Sequence, residues 1–426
     1  MRTPGAARLL FASIALLSGI AVPARTQQLV AAPEDTGAGR LRRVSRAWPV
    51  MGTLFVATVW TRDSTGGAAA LRAAHDSVRL VDSLMSTYRA ESELSQVNAH
   101  AARGDPVPVS PQTMAVLRKA RLYWRLSGGA FDPTVGPIVR AWGFEGGRGR
   151  RPAARSLDSL RALVGFGDVV LDSAANTVWL PRAGMRLDLG GIAKGYALDL
   201  ARRALARSSI QGGTLDLGGN LLVFGHPPDG DKWRVAIVNP LRREHTVGEL
   251  ALDSGAVATS GDYEHYLVIG GRRYGHLIDP RTAMPARGVL SATAIGPLGE
   301  WSDGLSATLF LLGPSRGRAL VDSIPGLAAV WVVDRGQRLV TERDVVCSAR
   351  ARALTVTAAS PKLNDSASAS DSKLTSRNSG KRPPPQLSDG SRVLTERGRH
   401  EPHSSRHTRW HPTVGRRLAL RQDLCH

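Results

Sequence analysis

The chain contains little cysteine. Its two cysteines, Cys347 and Cys425, both lie near the C-terminal end of the 426 residues. The long region before them therefore has no thiol for a disulfide framework, a zinc centre or a cysteine nucleophile. Without disulfides, that region must be stabilised by packing alone. A chain of this length that is 42% hydrophobic is long enough for one large domain or two ordinary ones.

Acidic residues are scarce at the C-terminal end. Residues 345–426 contain 15 Lys and Arg but only six Asp and Glu, and so carry +9 of the formal +20 charge. Hydrophobic periodicity also stops there and Ser, Pro, Arg and His take over, which predicts a disordered basic tail. A basic tail could touch anionic lipid or nucleic acid. Because it lacks interleaved aromatic residues, we expect no nucleic-acid partner, while an association with the inner-membrane surface stays open.

The N-terminal hydrophobic run, Leu9–Val22, is too short to span a bilayer well. It follows Arg2 and Arg8 and leads into Val-Pro-Ala at 22–24, which gives the three regions of a secretory signal peptide. We therefore expect residues 1–24 to direct export to the periplasm or to the periplasmic face of the inner membrane. An uncleaved N-terminal anchor is the alternative. Residues 25–47 are interpreted as a linker.

Short strands and a few helices alternate between residues 48 and 344. Helices are predicted at 68–88, 111–127, 193–208 and 302–312. Strands are predicted at 54–60, 169–171, 177–180, 221–224, 234–238, 266–269, 290–294 and 329–333. This mixture indicates an α+β fold with antiparallel sheets and flanking helices rather than a doubly wound parallel fold.

The segment RLDLGGIAKGYALD at 186–199 joins a carboxylate, a glycine pair and a lysine at the start of a helix. Asp188 ends an apolar, strand-like run, and Gly190 and Gly191 let the backbone approach a ligand closely. Lys194 lies where the helix begins, and the amide dipoles there favour anions. Such a turn can bind the phosphates of a nucleotide, although the same pattern also fits a tight packing turn.

Eight further segments are as distinctive as this glycine turn. They are VMGTLF at 50–55, MSTYRAESELSQVN at 85–98, GGAFDPTVGPIVRAWGF at 128–144, DLGGNLLVFG at 216–225, WRVAIVNP at 233–240, ATSGDYEHY at 258–266, GHLIDPRTAMP at 275–285 and EWSDGLSATLFLLG at 300–313. In this order, the nine segments resemble the FAD:protein FMN transferase family of ApbE-type flavin transferases. The resemblance implies one domain over residues 48–344, an ApbE-like, T-fold-like arrangement of two lobes, and a flavin site between the lobes.

The resemblance implies that FAD is the substrate and assigns its contacts residue by residue. A soft thioether and aromatic rings suit the planar isoalloxazine ring, and a lysine suits a phosphate as a point charge. For Asp132, which precedes a proline, a role as a turn or cap residue is the alternative. The implied contacts are Met51, Tyr88, Ala130, Phe131, Asp132, Asp188, Lys194, Leu277 and Ile278.

A hard cation such as Mg²⁺, bridging the FAD pyrophosphate, needs a few oxygen ligands from the protein. Asp303 is the best carboxylate for it. The resemblance adds the backbone carbonyl of Gly191, a carbonyl near Glu300, and a threonine one helical turn after the aspartate.

At that last position the chain departs from the family pattern. Ala307 stands four residues after Asp303, and Thr308 comes one position later, about 100° further round the helix. The metal-binding hydroxyl is therefore missing unless Ser306 or Thr308 reaches the ion from a shifted turn. A water molecule could also replace it.

His276, in the segment GHLIDP, is the base that the resemblance implies for deprotonating an acceptor hydroxyl. A neutral imidazole can accept a proton near pH 7. Asp279 is expected to orient this histidine or to bind the cofactor. A second departure follows, because Ala283 replaces the glycine usual in the DPRTG turn. If the position requires a positive φ, the turn is strained.

The resemblance thus implies transfer of FMN from FAD to a Ser or Thr hydroxyl of an acceptor flavoprotein, with release of AMP. A flavin subunit of a respiratory redox complex is the expected acceptor. Two alternatives stay open: hydrolysis of FAD to FMN and AMP at the same site, and an FAD-binding or storage protein without turnover.

Overall fold

The computed structural model describes residues 27–29, 41–144, 149–206, 208–264, 266–336 and 345–354. The expected signal peptide and residues 355–426 of the expected tail lie outside this description. Within the described residues, no helix combines the length and the apolar character needed to cross a membrane.

The described chain mixes strands and helices, with an uninterrupted series of strands between residues 210 and 296. The strands are β1 (Gln27–Leu29), β2 (Arg42–Val50), β3 (Thr53–Thr61), β4 (Val107–Pro108), β5 (Val170–Asp172), β6 (Thr177–Trp179), β7 (Ile210–Leu217), β8 (Asn220–Gly225), β9 (Trp233–Asn239), β10 (Arg242–Leu252), β11 (Gly255–Gly261), β12 (Tyr266–Ile269), β13 (Arg272–Gly275), β14 (Ile278–Asp279), β15 (Met284–Pro285), β16 (Val289–Gly296), β17 (Ala328–Val333) and β18 (Val345–Cys347). The helices are α1 (Ser64–Met85), α2 (Glu93–Ala99), α3 (Pro111–Leu126), α4 (Gly136–Trp142), α5 (Ala154–Arg161), α6 (Ala193–Leu205), α7 (Gly299–Ser323) and α8 (Ala349–Leu354).

The main sheet has eight strands in the order β18-β17-β16-β11-β8-β7-β3-β2, and each neighbouring pair is antiparallel. Smaller sheets join β1, β9 and β10, and β4, β6 and β5, while β12–β13 and β14–β15 form two-stranded hairpins. The predicted α+β class with antiparallel sheets is therefore confirmed. The two-lobed arrangement stays a prediction.

Both faces of the main sheet are covered, which explains the continuous hydrophobic runs of its central strands. In β8, Leu222 and Phe224 belong to the core under helices α1, α6 and α7. The alternate residues Leu221 and Val223 belong to the core on the other face, which β9 and β10 complete. Successive side chains of a strand point to opposite faces, so one strand contributes to two cores.

A third, smaller cluster joins α4 and α5 to the hairpins that follow β12. Trp142 from α4 packs against Tyr274 of β13, with ring centroids 5.4 Å apart, and its Nε1 donates to the carbonyl of Ala283 over 3.0 Å. Ile278 completes this cluster from β14. These contacts fix the segment that contains His276.

Helix α7 is longer than predicted, beginning at Gly299 instead of 302 and continuing past a break at Gly313. The sequence shows no local cap, because Leu298, the residue before the helix, has no side-chain oxygen to accept from the first amides. The first amides of α7 are bound instead by Asp199 of α6, which accepts from Gly299 N at 2.7 Å and from Glu300 N at 2.9 Å. A cap supplied by another helix leaves no local sequence signal.

The predicted boundaries of the domain were too narrow at both ends. Residues 42–47, expected in a linker, belong to β2 and pair with β3. At the other end, Val345–Cys347 pairs with β17, and Cys347 is 1% exposed. The prediction of a disordered tail is therefore wrong for residues 345–354, and one cysteine belongs to the folded region. Both are edge strands, and a strand as short as β18 gives little periodicity.

Candidate active site

The predicted phosphate-binding turn lies between the end of an extended segment and helix α6. Asp188 N donates to the carbonyl of Pro133 over 2.7 Å, and the Asp188 carboxylate accepts from Gly190 N over 2.7 Å. Lys194 Nζ donates to the carbonyl of Gly190 over 3.1 Å. Helix α6 begins without a side-chain cap, and its first amide, Ala193 N, donates to the carbonyl of Leu189 over 2.9 Å.

Phe131 packs against this turn. A Cβ at Gly191 would lie 3.3 Å from Phe131 Cε2, which shows how closely the backbone approaches the ring. Ala130 and Phe131 are 1% and 7% exposed, and Phe131 N donates to Ser127 Oγ. The structure therefore places Phe131 beside the glycine turn, while the flavin contacts of this segment stay a prediction.

The Asp132 carboxylate has structural partners on both oxygens. It accepts from Thr134 N at 2.8 Å and from Trp124 Nε1 and Phe166 N at 3.1 Å each. Burial raises the pKa of this carboxyl, while the hydrogen bonds oppose the shift. These bonds match the alternative of a cap residue, and they leave the backbone of Asp132 as its route to a ligand.

Helices α6 and α7 touch at Gly195. The backbone N–H of Gly195 donates to Asp303 Oδ2 over 2.9 Å, and a Cβ at position 195 would lie 2.1 Å from the carbonyl oxygen of Gly299. This contact brings Asp303 next to the start of α6. Asp303 is 5% exposed and has no ion-pair partner among the described residues. A buried carboxylate with one hydrogen bond and no counter-charge is costly, so its chemistry suits a cation.

The hydroxyl groups near Asp303 have protein partners. Thr308 Oγ1 donates to the carbonyl of Gly304 over 2.8 Å, and the residue is fully buried. Ser306 Oγ lies 2.9 Å from the carbonyl of Asp303 and 2.9 Å from Ser260 Oγ. Ala307 offers no side-chain oxygen, so the departure seen in the sequence persists in the structure.

Glu300 is also buried, and its Oε1 lies 2.9 Å from Lys119 Nζ. The described residues contain no group of three or more His, Cys, Asp or Glu that could hold a metal ion. A cation at Asp303 would therefore depend on backbone carbonyls, water and substrate oxygens for its remaining ligands.

His276 lies between β13 and β14, half-buried, in the segment that the third cluster fixes. Gly275 packs on Asp262, since a Cβ at position 275 would lie 3.1 Å from Asp262 Cβ. Leu277 packs on the main core and Ile278 is buried in the third cluster. The backbone is therefore held by packing on both sides of His276.

Asp279 organises the turn after this strand. Its carboxylate accepts from Arg281 Nε at 2.8 Å and Nη2 at 2.7 Å, and its carbonyl accepts from Ala283 N at 2.8 Å. Ala283 has φ of 56°, so this position does require the left-handed region. The turn therefore carries strain that a glycine would not.

Met51 has an unusual backbone conformation. It is the first residue of the two-residue turn between β2 and β3, with φ of 53°, and Gly52 follows with φ of 69°. Such turns favour Asn or Gly at the Met51 position. The neighbouring turn at Gly218–Gly219 is bonded to β3 just after the Met51 turn, because Gly218 N donates to the carbonyl of Leu54 over 3.1 Å. Tyr88 is 78% exposed, an unusually open aromatic ring.

The model of the ApbE family matches residues 51–331. The chain belongs to the ApbE family. It is 34% identical over 301 residues to the FAD:protein FMN transferase of Vibrio cholerae, a match covering 68% of this chain and 89% of that protein. It is 30% identical over 342 residues to the FAD:protein FMN transferase of Haemophilus influenzae, covering 77% and 95%.

Solved ApbE structures have the same fold. The ApbE protein of Thermotoga maritima superposes with a TM-score of 0.67 at 28% identity, covering 74% of this chain and 100% of that one. The flavin transferase ApbE of Vibrio cholerae gives 0.65 at 29% identity, covering 74% and 99%.

In this ApbE-family protein, a series of contacts joins many of the predicted residues. Phe131 meets the glycine turn, the turn leads into α6, and α6 meets Asp303. Ser306 then meets Ser260 of β11, and the residues just after β11 meet β13 beside His276. These contacts do not extend to Met51 and Tyr88, whose roles stay predictions.

Two residues of the segment ATSGDYEHY, Ser260 and Glu264, were not among the predicted site residues, although the segment itself was recognised. Glu264, in ATSGDYEHY, lies 3.1 Å from Arg243 Nη2, and burial raises its pKa while Arg243 and Lys194 oppose the shift. Ser260 precedes Glu264 in the same motif. The segment ATSGDYEHY pointed to this region of the chain, but no spacing rule selects Ser260 or Glu264 within it.

Proposed function

We propose that this protein is an FAD:protein FMN transferase, which moves FMN from FAD to a Ser or Thr hydroxyl of an acceptor flavoprotein and releases AMP. Its family and the names of its relatives support this activity. The observation that carries the proposal is the contact between Gly195 and Asp303, which joins a phosphate-binding turn to a buried, unpaired carboxylate.

The chain offers distinct surfaces to the parts of FAD. Phe131 beside the glycine turn, the Met51 thioether and the open Tyr88 ring are assigned to the isoalloxazine ring. Lys194, at the start of α6, is assigned to the phosphates. Retaining Met51 in a left-handed conformation that costs about 1–2 kcal/mol supports a functional reason for this side chain.

We assign a Mg²⁺ site to Asp303, with the carbonyl of Gly191 as a second protein oxygen. When bound there, the ion would polarise the pyrophosphate of FAD. The buried charge of Asp303 fits this assignment. Because Ala307 has no oxygen and the Thr308 hydroxyl is bonded within its helix, water would replace the usual threonine ligand.

His276 is assigned as the base. The acceptor hydroxyl loses its proton to the imidazole as its oxygen bonds to the FMN phosphorus, and the bond from that phosphorus to the AMP oxygen breaks. Asp279 contributes by holding the turn after His276 through Arg281 and the Ala283 amide.

The cellular setting follows from the N-terminal sequence. We propose export to the periplasm or to the periplasmic face of the inner membrane, where a flavin subunit of a respiratory redox complex serves as acceptor. Detection of the mature chain in a periplasmic fraction tests this part.

One observation favours a second candidate, an FAD-binding protein without turnover: Ala307 removes an expected metal ligand. A product balance separates the candidates. With the full chain, FAD, Mg²⁺ and a Thr-containing acceptor domain, transfer yields AMP and FMN-labelled acceptor in equal amounts. Hydrolysis instead yields AMP and free FMN, whereas a binding protein leaves FAD intact.

A further inference from the structure

Three exposed arginines line a cleft of about 480 Å³ beside the β14–β15 hairpin. They are Arg151, Arg272 and Arg287. The cleft lies on the surface beside strands β13 and β14, which flank His276, and the proposed function leaves it unassigned.

Among the described residues that line this cleft, arginines outnumber acidic residues. None of the three arginines has an acidic side chain within ion-pair distance in the described part of the chain, whereas nearby Arg273 pairs with Asp262 at 3.0 Å. The acid among the lining residues, Asp279, is already paired with Arg281 at 2.7 Å. Three unpaired guanidinium groups in one cleft repel one another, so an anionic partner would stabilise the arrangement.

Two of the arginines are held close to Tyr274 in β13, the strand that precedes His276. Arg272 and Arg287 each approach the ring of Tyr274, at 5.8 and 5.9 Å from its centroid. Tyr274 is buried, and it precedes His276 by two residues. Beyond the Ile278–Pro285 pair, Ala286 N donates to the carbonyl of Leu277 over 2.9 Å, so the residue before Arg287 is bonded to the residue after His276.

We propose that this arginine cleft docks an acidic segment of the acceptor protein beside its target hydroxyl. The inference rests on the proposed function. In an in-line displacement the nucleophile and the leaving group lie on opposite sides of phosphorus, so the base marks the side from which the acceptor enters. Guanidinium groups bind carboxylates through paired hydrogen bonds, and complementary charge speeds association and selects partners.

The test uses two synthetic peptides that contain one Thr and differ only in carrying Asp or Asn at the flanking positions. Fluorescence anisotropy measures their binding to the full chain, and intact mass measures FMN transfer. We expect wild type to bind the Asp peptide about tenfold more tightly, and Arg272→Gln/Arg287→Gln to lose this preference with unchanged affinity for FAD. The control is Arg72→Gln/Arg118→Gln, which removes two exposed helical arginines.

Equal binding of both peptides by wild type would overturn the docking proposal, even if both were labelled. Weaker FAD binding in the double variant would also overturn it, because the arginines would then hold the FAD phosphates. A preference for the Asp peptide without any transfer would support docking and count against the transferase alone.

Discussion

The backbone N–H of Gly195 and the carboxylate of Asp303 are joined by a hydrogen bond of 2.9 Å, at a point where α6 and α7 approach too closely for a side chain. The two helices therefore position the proposed phosphate-binding turn and the buried carboxylate as one unit. Only glycine fits at position 195, because its Cβ would lie 2.1 Å from Gly299 O and 2.7 Å from Asp303 Cβ.

Replacing Gly195 with alanine should force these helices apart. We expect the free energy of unfolding to fall by about 1–3 kcal/mol, the usual cost of overpacking a core. Urea titration followed by circular dichroism measures the change. An unchanged unfolding midpoint would show that the helices are not in contact as described.

Asp199 should make stability depend on pH. Burial raises the pKa of its carboxyl from 3.8 to about 6, although the amides of Gly299 and Glu300 oppose the shift. Because the folded pKa is the higher one, the stabilisation is complete below about pH 4 and is lost as the pH rises through about 6. The loss amounts to at most about 3 kcal/mol.

Unfolding free energies of wild type and Asp199→Asn, measured between pH 4 and 7, check this prediction. Wild type should lose stability relative to the variant as the pH rises. A difference that stays constant over this range would contradict the raised pKa.

Asp303→Asn should abolish stabilisation by Mg²⁺. In the presence of FAD, wild type should gain about 2.7 kcal/mol when the Mg²⁺ concentration is one hundred times its Kd. The variant should gain nothing, because the amide replaces the buried charge. Thermal unfolding with and without Mg²⁺ reads this out without turnover, and Asp158→Asn, at an exposed position, is the control. Equal Tm shifts in Asp303→Asn and wild type would remove Asp303 from the metal site.

Ala283→Gly should relieve strain in the turn after His276. The left-handed conformation costs alanine about 1–2 kcal/mol, while its buried methyl group contributes about 0.8 kcal/mol. We expect a net gain in stability below about 1 kcal/mol, measured by urea titration. Ala283→Val should be clearly destabilising at the same position. Greater stability in the valine variant would show that the turn is not strained.

Local patterns predicted the interior of the fold better than its edges. The hydrophobic runs of β8 and β17 predicted these two strands to within one residue at each end. Strand β2 was missed because an edge strand with charged residues lacks a clear alternation. The start of α7 was missed because Asp199 caps it from another helix.

The sequence supplied candidate site residues, and only some of the contacts among them could be expected from it. The glycine turn, Lys194 and Asp303 were predicted to bind phosphate and metal, which stays a prediction; the structure shows that α6, which follows the turn, contacts Asp303 at Gly195. The internal partners of the Asp132 carboxylate and the Thr308 hydroxyl depend on side-chain directions that spacing does not give. Ser260 of β11 contacts Ser306 of α7, and the two residues are too distant in sequence for a spacing rule to pair them.

Intact mass of a Thr-containing acceptor domain, after incubation with the full chain, FAD and Mg²⁺, tests the central claim most directly. Wild type should add one FMN group per acceptor. His276→Ala should slow this labelling by about 10²–10⁴-fold, the usual contribution of a general base. An acceptor that stays unlabelled while the protein binds FAD, or labelling unaffected by His276→Ala, would contradict the account.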